Sequence, residues 1–115
     1  MTVLGDQPTE GAPDPKPAKR IVATRSQWSD LRFEKLGSCR ICGSYLTELH
    51  HLVAKSLRGD DIAANLVPLC STCHGEVELH HQPFLGILRA SLRPEELRYI
   101  LDVKGSDYLE RRYPA

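Results

Sequence analysis

Four cysteines place the strongest constraint on how this chain can fold. They form two knuckles, Cys39-Arg-Ile-Cys42 and Cys70-Ser-Thr-Cys73, with 27 residues between them. Each C-x2-C spacing lets two thiolates converge on one ion, and two such pairs complete a tetrahedral site. Zinc is the natural occupant, being tolerant of sulfur ligands and redox-inert. The competing readings are two disulfides or a redox dithiol. Disulfides need an oxidising compartment, and the N-terminus lacks the apolar core of a signal peptide. A redox C-x-x-C normally comes singly within a βαβ pattern, which this sequence does not show. A length of 115 residues leaves room for one small domain, and a core of that size gains from a metal staple.

All four cysteines and all five histidines (50, 51, 74, 80 and 81) fall between residues 39 and 81. With sulfur satisfying the zinc, the histidines need another explanation. Tyr45 to Leu52 alternates enough for a short strand, and the run through Leu66, Val67 and Leu69 suits a second. A helix is expected from about Ser71, its candidate N-cap, to about Leu79. On that helix Glu78 stands at i+4 from His74 and His81 at i+7, which puts all three on one face. A histidine on a strand and one on a helix packed beside it can share a second metal ion that keeps open positions. The bland readings are a structural histidine, an Asn65 that only makes a turn, a pair of loop-forming carboxylates at Asp60 and Asp61, and helix-end roles for His80 and His81.

Outside this window, residues 1–20 read as a disordered leader, rich in proline, glycine and acid and nearly free of large apolar side chains. Residues 24–36 are weakly helical, with Ser26 or Ser29 as N-cap, Gly37 as stop, and Trp28, Leu31 and Leu36 as the buried stripe. Pro83 opens an apolar segment with Phe84, Leu85, Ile87, Leu88 and Leu92. Pro94 opens a helix with Glu95 and Glu96 in its first turn, Lys104 in its last and Gly105 beyond; Leu97, Ile100 and Leu101 form its apolar face. No stretch approaches the roughly 18 apolar residues of a membrane span.

The ordered set Cys39-x2-Cys42, Leu49-His50-His51-Leu52-Val53, Gly59-Asp60-Asp61, Asn65-Leu66-Val67-Pro68-Leu69-Cys70 and Cys73-His74 resembles the HNH endonucleases, and more narrowly their zinc-containing, phage-type branch. The resemblance covers about residues 38–81. It implies an α+β chain with a small ββα-metal fold, a four-cysteine zinc site and flanking helices. The leader would be residues 1–20 and the nuclease domain 21–115, with its core at 38–81 and C-terminal helices at 82–115. His51 matches the general base that takes a proton from the attacking water. His50 matches a metal-ligand position, and His74 a ligand on the helix. Asn65 matches the residue that braces the loop holding the base. Glu78 corresponds to a further ligand found in some members. The catalytic ion would be a divalent metal such as Mg2+, Mn2+, Ni2+ or Zn2+. Two loop positions depart from the pattern: Arg58-Gly59 stands where relatives carry paired glycines, and Ala54-Lys55 where a proline often follows the histidines.

Elementary chemistry supports these roles. Phosphodiester hydrolysis needs an activated water, in-line geometry and neutralised charge on the departing oxygen. Imidazole, with an ordinary pKa of about 6.5, is largely neutral and basic at pH 7. One divalent ion can serve as Lewis acid on the phosphate. Adjacent strand residues point to opposite faces, so a twist must bring His50 and His51 to one phosphate.

The formal net charge is zero, which by itself argues against a nucleic-acid partner. By segment it is a cancellation: residues 16–40 carry +5, residues 1–15 and 41–81 carry −3 each, and residues 82–115 carry +1. Candidate phosphate contacts are Arg25, Arg32, Lys35, Arg40, Lys55 and Arg58. The reading is a DNA endonuclease, monomer or weak dimer, in the cytoplasm (the host's, for a phage protein). The phage-type likeness also implies work beside a terminase or portal protein. The rival is a non-catalytic four-cysteine zinc module that binds nucleic acid or protein.

Overall fold

The computed structural model describes residues 19–115, so all of the expected leader except Lys19 and Arg20 lies outside the described residues. The chain runs α1 (Arg25–Lys35), β1 (Thr47–His51), two 3-10 turns (Lys55–Leu57 and Ala63–Asn65), β2 (Leu66–Cys70), α2 (Ser71–Glu78), α3 (Phe84–Ser91), α4 (Pro94–Lys104) and α5 (Ser106–Arg112). This is the α+β architecture anticipated, a two-stranded sheet that leads directly into a helix, with helices around it. No helix among the described residues is long and apolar enough to cross a membrane.

β1 and β2 pair antiparallel, with Thr47 opposite Cys70 and His51 opposite Leu66. All five β2 residues are buried, which is why that strand reads as an apolar run rather than an alternation. Its outer side is not a free edge, because the Arg40 N–H donates to the Pro68 carbonyl at 3.0 Å and ties the first knuckle to the sheet. β1 is shorter than the alternation suggested. Tyr45 and Leu46 are 89% and 87% exposed and precede the strand.

α1 departs from expectation at both ends of the argument. Its N-cap is Thr24, not Ser26 or Ser29. Thr24 Oγ1 accepts from the Gln27 N–H at 3.1 Å and Gln27 Oε1 accepts from the Thr24 N–H at 2.8 Å, a reciprocal capping box. Nor is the inward stripe apolar: Trp28 and Leu31 are only half-buried, Leu36 is exposed, and the buried residue is Lys35. Lys35 Nζ donates to Glu96 Oε2 of α4 at 2.6 Å, and the Arg40 guanidinium meets the same carboxylate bidentately at 3.0 and 2.9 Å. Glu96 has no exposed surface. Burial pushes its carboxyl up, but the bonds from Arg40, from the Arg93 N–H and from Lys35 outweigh that and hold it below the usual range. A buried carboxylate with two cations and a backbone donor is satisfied; removing it would strand both cations.

α2 is capped by sulfur rather than by Ser71, since Cys70 Sγ accepts from the Cys73 N–H. On α4 the inward residues are Glu96, Tyr99 and Ile100, with Leu97 half-buried and Leu101 exposed. The core joins Leu52, Val53, Val67, Leu69 and Val77 of the ββα unit to Leu85, Leu88, Ile100, Leu109 and Tyr113 of the C-terminal helices.

The loop between the strands is pinned from two sides. Tyr99 Oη donates to Asp60 Oδ2 at 2.7 Å and accepts from the Asp60 N–H at 2.9 Å. From the other side residues 20–23 lie across it as a strap. Arg20 Nε donates to the Gly59 carbonyl, Ile21 N–H to Asp60 Oδ1, Ala23 N–H to Asp61 Oδ2, and Asp61 N–H back to the Ile21 carbonyl. The two loop departures have a physical account. Gly59 is required, because a Cβ there would sit 1.6 Å from the Val53 carbonyl oxygen. Arg58 takes φ 67°, the left-handed conformation that glycine adopts freely, while Ala54 keeps φ −58°, the value proline would impose.

Candidate active site

The two knuckles bring their four sulfurs together. All lie within 4.8 Å of one another, and Cys42 and Cys70 Sγ are 3.6 Å apart. Tetrahedral zinc–sulfur bonds of about 2.3 Å would put sulfurs about 3.8 Å apart, so the donor set fits that ion and the separation is non-bonded. The Ile41 and Cys42 N–H groups point at Cys39 Sγ at 3.4 and 3.5 Å. Burial pushes the Cys39 thiol up, but the N–H groups of Cys42, Cys70 and Ile41 more than offset it and bring it down to about 6. Burial and the neighbouring sulfurs push Cys73 up instead. Four sulfurs this close can all carry charge only around a cation.

A second group of ligand atoms forms where β1 meets α2. One ligand atom each from His50, His74 and Glu78 lies within 4.8 Å of the other two. Strand periodicity turns His50 towards α2, where it is 2% exposed, and the i, i+4 spacing brings Glu78 beside His74. His50 Nδ1 is 3.3 Å and His74 Nε2 3.5 Å from Glu78 Oε2. The bond from His50, with help from Arg112 and His74, lowers the Glu78 carboxyl to about 2, so it is anionic at neutral pH. His50 is pushed down chiefly by burial, which keeps it neutral. Two imidazoles and a carboxylate make a donor set suited to a divalent ion. The far nitrogens are occupied: His74 Nδ1 meets Glu48, and His50 Nε2 lies 2.9 Å from Tyr113 Oη.

His51 projects to the other side of the strand. Its Nε2 is 2.8 Å from Asp61 Oδ1, and its ring stands edge-to-face with Trp28 at 5.9 Å. A carboxylate can only accept, so Nε2 carries the proton and Nδ1 is the basic nitrogen. Burial lowers the His51 pKa, partly opposed by Asp61. Asp61 itself is held down: burial raises it, but the Ala23 N–H, His51 and Arg20 together outweigh that. Asn65 makes three bonds, all to the interstrand loop. Its Oδ1 accepts from the Val53 N–H at 2.7 Å, and its Nδ2 donates to the Val53 and Asp60 carbonyls at 3.0 and 2.9 Å. These bonds clamp the two ends of the segment that presents Asp61 to His51.

Although His50 and His51 diverge, both line one open cleft of about 920 Å³ with His74, Glu78, Trp28, Arg25, Arg32 and Lys55. The six basic candidates therefore separate. Arg25, Arg32 and Lys55 face the cleft. Lys35 and Arg40 are spent on Glu96 inside the fold, and their place as phosphate contacts is withdrawn on that ground. Arg58 is exposed on the interstrand loop and does not line the cleft. His81 does not share the face of His74, because α2 ends at Glu78, His80 turns at φ 61°, and His81 pairs with Glu76 at 2.6 Å.

Four residues at the site escaped the sequence reading. Asp61 was visible in the Gly59-Asp60-Asp61 motif but read as a loop former. Glu48 sits two residues before His50, on the same strand face, a period-2 relation that could have flagged it. Trp28 reads from the sequence as part of a buried stripe, whereas it lines the cleft beside His51. Tyr113 lies 63 residues from His50 and carries no local signal.

Comparison with known proteins adds the family. No curated protein and no solved structure matches the chain. Residues 39–79 match the family model described as HNH endonuclease, a span that starts at the first cysteine and ends just past Glu78, and this stretch of the chain is an HNH domain.

Proposed function

We propose that the chain is a metal-dependent DNA endonuclease that hydrolyses phosphodiester bonds with His51 as general base. The observation that carries this reading is the convergence in one cleft of His51, which is bonded to Asp61 behind it, with the His50, His74 and Glu78 candidate ligand group. His51 Nδ1 takes a proton from a water molecule as its oxygen attacks phosphorus. The new P–O bond forms opposite the bond to the departing 3′ oxygen, which breaks. Asp61 keeps the imidazole in the tautomer that leaves Nδ1 basic and offsets the positive charge it gains. Asn65 holds the loop that carries Asp61. His50, His74 and Glu78 would hold one divalent ion, which supplies Lewis-acid neutralisation of the phosphate and of the departing oxygen. Arg25, Arg32 and Lys55 fasten neighbouring phosphates, and contacts to backbone alone favour weak sequence preference. The four cysteines hold a structural zinc that anchors the start of α2. A setting in phage DNA packaging, beside a terminase or portal protein, rests on the likeness to the phage-type branch alone.

The test is plasmid nicking with added Mg2+, Mn2+, Ni2+ or Zn2+, wild type against His51→Ala. Loss of nicking in the variant, with DNA binding and zinc content retained, is the expected result. Unchanged activity would sink the general-base role, and no cleavage with any metal would favour the non-catalytic zinc module.

A further inference from the structure

We propose that the α1 side of the cleft is a stacking platform for an unpaired base. Trp28 takes the base, Arg25 and Arg32 take the phosphates beside it, and the substrate is single-stranded or locally unpaired DNA. The proposal rests on the reading of the cleft as a nuclease site and names the form of DNA it takes; Trp28 lies outside the span that matches the family. It is the only tryptophan in the chain. A side chain of that size ordinarily packs in the core, yet Trp28 lies outside the core cluster and lines the cleft, half-buried. Among the described residues its indole N–H meets no hydrogen-bond acceptor. Its ring stands edge-to-face with His51 at 5.9 Å, so a base resting on the indole is next to the general base.

The charge around Trp28 points the same way. Arg25 and Arg32 stand at i−3 and i+4 from it, on the same helix face, and also line the cleft. Both are exposed, and among the described residues neither forms a side-chain hydrogen bond or an ion pair. Lys35 and Arg40 differ, both being held by Glu96. The two acids of α1, Asp30 and Glu34, do not line the cleft, whereas Glu48 and Glu78 face it from β1 and α2. The cleft therefore has a cationic, aromatic side and an acidic, ligand-bearing side, and DNA phosphates fit the first. The negative face of an indole does not attract a phosphate, but every base has a π face that stacks on it. Inside a duplex both faces of a base are covered by its neighbours. The base on Trp28 must then be flipped, frayed or single-stranded. Stacking of this kind tolerates any base, in keeping with weak sequence preference.

The test reads binding, not cutting. As the single tryptophan, Trp28 reports on the platform by its own fluorescence. The zinc-loaded chain, without added second metal, is titrated with a single-stranded DNA oligonucleotide and with the blunt duplex of the same sequence. Single strands should quench the tryptophan emission at saturation, and the duplex should leave it largely unchanged. By anisotropy of labelled DNA, Trp28→Leu should weaken single-strand binding about 5- to 150-fold and leave duplex affinity unchanged. Trp28→Phe, which keeps a stacking face, should retain most of the single-strand affinity. Unmoved emission with single-stranded DNA bound overturns the proposal without any variant, and so does equal quenching by the duplex. A folded Trp28→Leu chain with its zinc retained overturns it too, if it binds single strands as tightly as the wild type or loses both affinities alike. Quenching without cleavage under any metal would fail the nuclease reading and keep the platform, and cleavage without quenching would do the reverse.

Discussion

Replacing Asp61 by asparagine tests the site most sharply, because the carboxylate serves two structures with two different oxygens. Oδ1 accepts from His51 at 2.8 Å and from Arg20; Oδ2 accepts from the Ala23 N–H at 2.9 Å. An amide has one acceptor oxygen, so an NH2 group must face donors on one side. Facing it towards Ala23 loses one bond and towards His51 and Arg20 loses two, so the oxygen should stay on the His51 side and the strap should lose one of its ties to the loop. The unpaired, half-exposed Ala23 N–H then costs about 1 kcal/mol, or roughly 4–8 °C in Tm for a domain of this size. On the catalytic side the tautomer survives but the charge does not. Exchanging a charge-assisted bond of about 1.5–3 kcal/mol for a neutral one of about 1 kcal/mol removes about 0.5–2 kcal/mol, which at 1.36 kcal/mol per decade is about a 2- to 30-fold slower single-turnover nicking rate. The assays are thermal melting and single-turnover nicking of supercoiled plasmid with saturating metal. Wild-type nicking with a lowered Tm would reduce Asp61 to an anchor for the strap. An unchanged Tm would refute the placement of the amide.

Other consequences follow from the same geometry. Glu96→Gln should cost about 3–5 kcal/mol at pH 7 by stranding Lys35 and Arg40 in the interior, measured by urea unfolding. Because the folded carboxyl sits below its unfolded value of about 4.3, this contribution is fully present above that pH and is lost as pH falls through the folded value. The gap between wild type and variant should therefore close on acidification below pH 4. Cys42→Ser should lose the single tightly held zinc, read by metal analysis, and lower the unfolding temperature steeply. On a His51→Ala background, Arg32→Ala should reduce the slope of log affinity for duplex DNA against log salt by about 0.9, whereas Lys35→Met should destabilise the fold and leave that slope unchanged.

What could be read from the sequence was what short-range periodicity encodes. β2 announces itself because every one of its residues is buried, and α4 because Pro94, the paired glutamates and Gly105 mark its ends. The candidate ligand groups were legible for the same reason: the knuckles, the tandem histidines and the i, i+4 pair of His74 and Glu78 are local spacings. What was not legible depends on charge and on distance along the chain. A lysine on a weakly patterned helix looks solvated, and only the arrival of Glu96, 61 residues on, turns Lys35 into a core residue. The same holds for Thr24, whose capping box needs Gln27 to complete it, and for Tyr113, which meets His50 across 63 residues of chain.

α2 carries both candidate metal centres on two turns of helix: Cys70 caps it, Cys73 is in its first turn, His74 is the next residue and Glu78 is the last. A chelator therefore addresses two populations of ion that differ in their consequences. Removal of a weakly held ion from the histidine–glutamate cluster should be rapid and fully reversed by adding back any competent divalent metal. Extraction of zinc from the thiolates releases the N-terminal anchor of the helix and carries His74 out of register, so restoring activity then requires zinc first. Inactivation by a strong chelator should accordingly be biphasic, with only the early phase reversible by Mn2+ alone, and the order in which metals are returned becomes a readout of which centre was emptied.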